Sequence, residues 1–420
     1  MTATAARLWL ALAIAFLASS VALGQSVAKP LPPSRLCADQ SCVTAAAGAT
    51  AIGAVKWHPG WYIRIGPDLY PTTNASNRNP STLSQILAFM DSIKNEPIKG
   101  VLVAGFWSQW EGSTAGDYSA GFGTVDAILA KAAANGQHVM LDFWAASFGS
   151  SSGDWSTVFP AYLVQPANGG TDVAGRYGIT PMTGNIGLQA RIWQSATADR
   201  LIALYKAYAA RYDTHPNLEM VSLGETSINV ALGTDGYTRD SIDAQLRRQL
   251  SEIRAVWPTT QLRLNANWYL SQQGMVSLVN YAGQLALAIG GPDTMPMNPT
   301  WAQQAFTGSL PGAIDWRGRV PFVSEVQDPE LGGKAGTYTN EQIYLAAMQG
   351  ISSESGGATG SGSVKFAAVQ PQYWVWYMNT WSGGPEQQWS TGTLPFIRSI
   401  NGAVFSTSCP QAYSKGCATR

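Results

Sequence analysis

The sequence is short of charged residues and of histidine. Only 12% of its 420 residues are charged, and 26 basic residues balance 26 acidic ones. A net charge of zero argues against nucleic acid as a partner, because phosphate binding needs a basic face. Three histidines are few for a histidine-based metal centre, so we expect no metal and no cofactor. The 45% hydrophobic content argues against disorder and supports a folded core.

Long apolar runs are also scarce, and the clearest one lies at the start. Residues 8–23 are almost wholly apolar and follow a short segment with one positive charge. The run ends in Ala22-Leu23-Gly24, which fits the small-x-small rule for signal-peptide cleavage. A membrane anchor is the alternative, but the run is short for a span of about 20 residues and no stop-transfer charges follow. We therefore predict a signal peptide over residues 1–24 and a secreted or periplasmic mature protein that leaves the membrane and is a monomer.

Cysteine is confined to the two ends of the chain, at Cys37, Cys42, Cys409 and Cys417. An exported location permits disulfides. Two local pairs, Cys37–Cys42 and Cys409–Cys417, are the first hypothesis, and pairing between the two ends is the alternative. Spacing alone does not choose between them.

Aromatic residues, in contrast, are plentiful, with 16 Trp and 16 Tyr. Sugar rings present flat C–H faces that stack on aromatic rings, so an exported chain rich in Trp fits a carbohydrate binder. The alternative is that these residues fill a large core.

Short apolar runs alternate with longer segments of helical period over most of the chain, which is typical of βα units and a parallel sheet. Eight strands and their helices predict a single-domain (β/α)8 barrel over residues 51–405. An N-terminal arm (25–50) precedes it and a disulfide-bearing tail (406–420) follows. An open doubly wound sheet is the rival, but no glycine-rich phosphate loop follows the first strand. The predicted strands are 51–57, 100–107, 138–144, 218–225, 261–268, 285–291, 320–326 and 366–376.

In a barrel of this kind the chemistry collects at the carboxyl ends of the strands. Glu225 and Glu325 close two short apolar strands, where an acid is costly unless it is hydrogen-bonded or used. Cleavage of a glycosidic bond needs two carboxyl groups, one as acid and one as nucleophile or base. Amide, acidic and aromatic side chains near the other strand ends are candidate substrate-binding residues: His58, Trp107, Asp142, Trp144, Asn267, Trp268, Asp293, Trp374 and Trp376.

With these residues in place the chain resembles the large clan of retaining (β/α)8-barrel glycoside hydrolases. The resemblance implies that Glu225, on strand four, is the acid/base and Glu325, on strand seven, is the nucleophile. It also implies that Trp374 or Trp376, on strand eight, is a sugar platform. The stretch GFWSQWEGSTAGDYSAGFGTVDAIL (105–129) resembles the W…E…G-x-Y region of such enzymes.

The sequence departs from the clan pattern at two places. Gly224 stands before Glu225, where many members have Asn, and residues 290–293 (GGPD) offer no strand-six Tyr. The family within the clan is therefore not assigned. The prediction is a retaining hydrolase of β-linked oligo- or polysaccharides with its two carboxyl groups about 5 Å apart. A non-catalytic carbohydrate-binding barrel is the alternative.

Overall fold

The computed structural model describes ten segments of the chain. The predicted signal peptide, the N-terminal arm, Cys37, Cys42 and Asp293 lie outside the described residues. The described segments are 53–66, 81–148, 155–164, 178–185, 187–291, 299–326, 339–350, 367–377, 389–400 and 406–419.

Eight parallel strands close into a barrel, so the predicted α/β fold, a (β/α)8 barrel, is confirmed. The order around the barrel is β2-β3-β4-β8-β9-β10-β11-β12, and β12 pairs with β2 to close it. In chain order the strands are β1 (Val55–Lys56), β2 (Gly60–Ile65), β3 (Gly100–Phe106), β4 (His138–Trp144), β5 (Ala146–Phe148), β6 (Ile179–Pro181), β7 (Gly187–Ala190), β8 (Leu218–Leu223), β9 (Gln261–Asn265), β10 (Ala288–Gly291), β11 (Phe322–Val326), β12 (Tyr373–Tyr377) and β13 (Cys417–Ala418).

Helices surround the barrel and cover the outward face of its strands. Several begin at a threonine whose side chain accepts a backbone N–H, as Thr82 and Thr238 do. The helices of the described residues are α1 (Leu83–Ser92), α2 (Trp107–Trp110), α3 (Ser119–Asn135), α4 (Trp155–Val158), α5 (Ala161–Val164), α6 (Ser195–Tyr212), α7 (Arg239–Val256), α8 (Gln272–Gln284), α9 (Trp301–Phe306), α10 (Asn340–Gln349) and α11 (Leu394–Ser399). None of these helices is long and apolar enough to cross a membrane.

Side chains alternate along each barrel strand between an outer and an inner layer. The outer layer packs against the helices and is apolar, as Ile63 and Val103 illustrate. The inner layer is apolar at mid-height, where Leu102 and Met140 meet. Its two ends are polar, and one of those ends carries the candidate site.

The first barrel strand was predicted wrongly. Residues 51–57 were expected to form it, but β2 (60–65) pairs with both β12 and β3. The apolar segment before it forms only the short β1, which pairs with β13 from the tail. The buried Arg64 breaks the apolar pattern of GWYIRI, whereas AIGAVKW looks more uniformly apolar. Pairing partners, rather than local hydrophobicity, decide which segment enters the barrel.

The C-terminal tail covers the end of the barrel at which the strands begin. The Trp57 Nε1–H donates to the carbonyl of Thr407 at 2.8 Å, and Tyr413 is buried against the inner layer. The predicted Cys409–Cys417 disulfide is present. Residues 406–419 are therefore part of the barrel's floor rather than a separate arm.

A small antiparallel sheet follows β4. Strand β7 lies between β5 and β6, and β5 begins two residues after Trp144. This sheet extends the carboxyl end of the barrel on the side next to β8.

Candidate active site

Glu325 lies near the carboxyl end of β11, on the inward face of the barrel. Only 1% of it is exposed. It forms an ion pair with Arg263 of β9, a side chain that is itself fully buried, and accepts a hydrogen bond from the Tyr377 hydroxyl at 3.2 Å. Removing either partner of this buried pair would leave the other without its compensating charge, so the two side chains hold each other in position.

Glu225 follows β8 and is only half-buried. The Asn267 side chain donates to its Oε2 at 3.2 Å. Thr226 ties the chain after β8 to the chain at the end of β9. Its backbone N–H donates to the Asn265 carbonyl at 3.1 Å, and its hydroxyl donates to the Asn267 carbonyl at 2.5 Å. The carboxyl end of β9 thus holds Glu225 at the barrel mouth, where solvent can reach it.

One tyrosine, Tyr377, feels the charge of both glutamates. Burial raises the pKa of Tyr377 well above its usual value; the charge of Arg64 opposes this, while those of Glu325 and Glu225 add to it. Both carboxylates therefore lie within electrostatic range of the same hydroxyl. The structure brings the two predicted catalytic residues to one end of the barrel.

Asp142 belongs to the same cluster. Its Oδ2 accepts the Trp144 Nε1–H at 2.8 Å and lies 3.9 Å from Arg263 Nη2. The pKa of Asp142 is raised to about 6, mainly by burial. The positive charge of Arg263 acts against this rise, and the negative charge of Glu325 adds to it. Its position on the inner face agrees with the predicted location, and its role toward substrate stays a prediction.

Arg64 lies beside this cluster, on the inner face of β2. Its guanidinium lies over the rings of Trp144 and Tyr377, at 4.5 and 4.4 Å from the ring centroids. Such contacts between a cation and two ring faces restrict all three side chains. Trp144, at 9% exposed, is therefore fixed at the inner edge of the mouth.

Trp374 and Trp376 do not face the barrel interior, which contradicts the prediction of a sugar platform. They stack on each other at 5.8 Å and pack against Trp61, Tyr344 of α10 and Phe396 of α11. Because side chains alternate along β12, the inward positions are the odd-numbered ones. Trp374 and Trp376 therefore both lie on the outer face of β12.

Trp107 is also wrongly placed by the prediction. The chain turns into α2 directly after β3, so the Trp107 side chain enters the outer layer and is 0% exposed. Its Nε1–H donates to Glu111 Oε2 at 2.7 Å. Glu111 also accepts from Tyr162 and pairs with Arg200, so this carboxylate fastens the loops around α2 rather than facing the mouth.

His58 lies at the opposite end of the barrel, which corrects its assignment as a substrate contact. Because β1 is not a barrel strand, His58 lies two residues before the first barrel strand, β2, and so stands at the floor. Its Nδ1 lies 2.7 Å from Glu219 Oε2, and its ring stacks on that of His138 with centroids 3.6 Å apart. His58 therefore has no access to the site that holds Glu225 and Glu325.

Asn267 and Trp268 lie at the mouth, which is the carboxyl end of the barrel strands where the sequence predicts the site. Asn267 contacts Glu225 directly, whereas Trp268 is 66% exposed. Whether they touch substrate stays a prediction.

Three residues of the cluster were missed by the sequence reading: Arg64, Arg263 and Tyr377. Arg263 had a readable signal, since a charge in the middle of the apolar strand QLRLN must be paired if it is buried. Tyr377 lies one residue beyond the predicted strand end. Arg64 was missed because the first strand was misplaced.

No protein-family model matches the chain, and no curated protein does. Solved structures of similar fold include one described only as a glycoside hydrolase, at 14% identity and a TM-score of 0.36. The match covers 57% of this chain and 62% of that one, so the chain spans less than two-thirds of its length.

Two further structures are matched over more of their length. Endo-glycoceramidase II from Rhodococcus sp., in a cellobiose-like imidazole complex, is 12% identical with a TM-score of 0.48, over 84% of this chain and 80% of that one. GH5_18 from Streptomyces cattleya, in complex with GlcNAc, is 17% identical with a TM-score of 0.46, over 88% and 83%. These likenesses concern the fold.

Proposed function

We propose that this chain is an exported retaining glycosidase that cleaves β-linked oligo- or polysaccharides, with Glu325 as nucleophile and Glu225 as acid/base. The observation that carries the proposal is the placement of two glutamates at the carboxyl ends of β8 and β11, both within electrostatic range of the Tyr377 hydroxyl. Two carboxyl groups at one site are what glycosidic cleavage requires.

The different surroundings of the two glutamates suit different roles. Glu325 is buried and fixed by its pair with Arg263, which suits the group that attacks the anomeric carbon from a set position. The Tyr377 hydroxyl orients one of its oxygens. Glu225 is half-buried, so it can exchange its proton with water after each step.

The reaction then takes two steps. In the first, a Glu325 oxygen bonds to the anomeric carbon while the bond to the leaving oxygen breaks and Glu225 gives that oxygen its proton. In the second, Glu225 takes a proton from a water whose oxygen attacks the same carbon and releases Glu325. Each step inverts the carbon, so the product keeps the original configuration. Neither step uses a metal or a cofactor.

The surroundings favour a neutral carbohydrate as substrate. The mouth carries the amide of Asn267 and the ring of Trp144. The two guanidinium groups of Arg64 and Arg263 offset the acidic groups of Asp142 and Glu325. Export is supported by the apolar segment at residues 8–23 and by the Cys409–Cys417 disulfide, which suits an oxidising compartment.

The test is a screen of the purified protein against aryl β-glycosides and β-glycans, with Glu325→Ala as the inactive control. We expect one sugar class to be cleaved, and NMR of the first-formed product should show the β anomer. An α product would indicate inversion and contradict the assignment of Glu325 as nucleophile. Binding of glycans without any cleavage would support the alternative of a non-catalytic carbohydrate-binding barrel.

A further inference from the structure

Large apolar side chains that are exposed number three among the described residues, and two of them form a pair beside the candidate site. Trp268 is 66% exposed and Trp301 is 37% exposed. Their rings lie 6.4 Å apart at 63°, edge to face. The third such residue is Leu232. We call Trp268 and Trp301 the tryptophan pair.

The tryptophan pair is connected to Glu225 through a short, well-bonded segment. Trp268 directly follows Asn267, whose side chain donates to Glu225 and whose backbone N–H donates to the Thr226 hydroxyl at 2.8 Å. Trp301 is held from the other side, because it is the first residue of α9 and Thr300 caps that helix. The pair therefore stands on the Glu225 side of the mouth.

The backbone at Trp268 is strained. Its φ is 32°, in the left-handed region that side chains other than glycine rarely adopt. Strain of this kind persists where surrounding contacts impose it, and such residues cluster at ligand sites. Here the conformation presents a large ring to solvent, whereas burial would be the ordinary use of tryptophan.

We propose that the tryptophan pair is a binding subsite for the leaving-group sugar of a β-linked oligosaccharide. This assignment rests on the proposed function, because it uses Glu225 as the acid that protonates the leaving oxygen. A sugar attached to that oxygen must lie on the Glu225 side of the cleaved bond, which is where the pair stands. The opposite side of the bond is occupied by the sugar that bonds to Glu325.

The chemistry of the pair suits a sugar ring. Two ring faces at an angle offer stacking surface for C–H groups. Each exposed indole also carries an N–H donor at the polar edge of its ring, which a sugar hydroxyl can accept. The adjacent Asn267 amide adds a further polar group at the edge.

The test compares two substrates that share the same cleaved sugar. Hydrolysis of the β-glycosyl fluoride releases only fluoride and needs no leaving-group subsite, whereas hydrolysis of the β-linked oligosaccharide does. We expect Trp268→Ala and Trp301→Ala each to lower kcat/KM for the oligosaccharide about tenfold and to leave kcat/KM for the fluoride within about twofold. Trp268→Phe, which keeps a ring face, should retain most of the oligosaccharide activity.

Other outcomes overturn the assignment in distinguishable ways. Equal losses on both substrates would mean that the pair only supports the fold around Glu225, and no loss on either would mean that it does not touch substrate. An equal loss with an alkyl β-glycoside of the same sugar would identify an apolar leaving group instead. Failure of the unchanged protein to hydrolyse any glycosyl fluoride would overturn the proposed function itself, and this subsite with it.

Discussion

The two ends of this barrel each hold a buried glutamate among polar partners, but we propose a reaction site at only one end. At the floor, Glu219 is 0% exposed and accepts hydrogen bonds from the His58 backbone, Gln261 and Tyr373, at 2.8, 2.9 and 2.5 Å. At the mouth, Glu325 is 1% exposed and is bonded to Arg263 and Tyr377.

The two ends differ in the residues that surround each glutamate. The floor is closed by β1, β13 and the tail, and Tyr413 packs over the inner layer there. The mouth has a second carboxylate, Glu225, which is half-buried and so meets solvent. Burial and pairing alone therefore do not identify a catalytic acid, and our proposal for the mouth rests on the second carboxylate at the same opening.

Their protonation also differs. Burial would raise the pKa of Glu219, but the hydrogen bonds and charge of His58 and the bond from Tyr373 outweigh it and lower that pKa. The pKa of Asp142 at the mouth goes the other way, to about 6. The floor thus stabilises the charged form of Glu219, whereas the mouth shifts the pKa of Asp142 towards neutral pH.

The largest contrast should come from removing each glutamate's charge. Glu325→Gln removes the proposed nucleophile and should lower kcat by more than about 10⁴-fold, beyond what loss of an acid/base alone gives. Glu219→Gln should leave kcat within a few-fold but lower the free energy of unfolding by about 3 kcal/mol, because it disrupts a buried charged network. Turnover assays and urea unfolding measure the two.

The control for this comparison is the unfolding midpoint of Glu325→Gln, which shows whether its inactive form is still folded. A loss of activity in Glu219→Gln as large as that in Glu325→Gln would contradict the separation of a structural floor from a reactive mouth.

The next contrast is in the dependence of stability on pH. The raised pKa of Asp142 means that the folded state keeps its proton to higher pH than the unfolded state, so its contribution is full below pH 4 and is lost as the pH rises through 6. From the usual value of 3.8, the loss amounts to about 3 kcal/mol. Asp142→Asn should therefore gain stability relative to the unchanged protein between pH 4 and 7.

Glu219 should behave in the opposite sense. Its lowered pKa gives stability that is present above about pH 4.5 and is lost as the pH falls. Urea unfolding of Asp142→Asn and Glu219→Gln across pH 3.5–7 measures both slopes. Parallel slopes in the two variants would refute the assigned pKa directions.

The smallest contrast uses two tyrosines on the same face of β12. Tyr377→Phe removes the hydrogen bond to Glu325 and should lower kcat about tenfold, the usual worth of a hydrogen bond to a charged group. Tyr373→Phe removes the bond to Glu219 and should lower stability by about 1.5 kcal/mol with kcat unchanged. If Tyr377→Phe kept full kcat, the Tyr377 hydroxyl would have no part in orienting Glu325.

Much of the fold was predictable because βα alternation is a local pattern. Six of the eight barrel strands were predicted to within three residues of their observed bounds, and the strand predicted over 366–376 overlaps β12 but begins seven residues too early. The first strand was misplaced, because β1 and β2 are both short apolar segments and only their pairing partners tell them apart.

The site was predicted in part for the same reason. Glu225, Glu325 and Asp142 could be selected as candidates because they lie at or near the carboxyl ends of apolar strands, where an acid stands out. Arg263 and Tyr377 were not, since their role comes from contacts with Glu325 across the barrel. Trp374 and Trp376 of β12 were expected to face the site, but both lie in the outer layer.

The sequence by itself determined the alternation of strands and helices, the two-residue period within each strand and the glutamates that end two of them. These features depend only on neighbours along the chain. Only the tertiary structure decided which face of each strand turns inward, which segment closes the barrel, and that His58 and Glu325 lie at opposite ends. A period of two defines two faces but does not say which is the inner one, because that choice is made by partners far away in sequence.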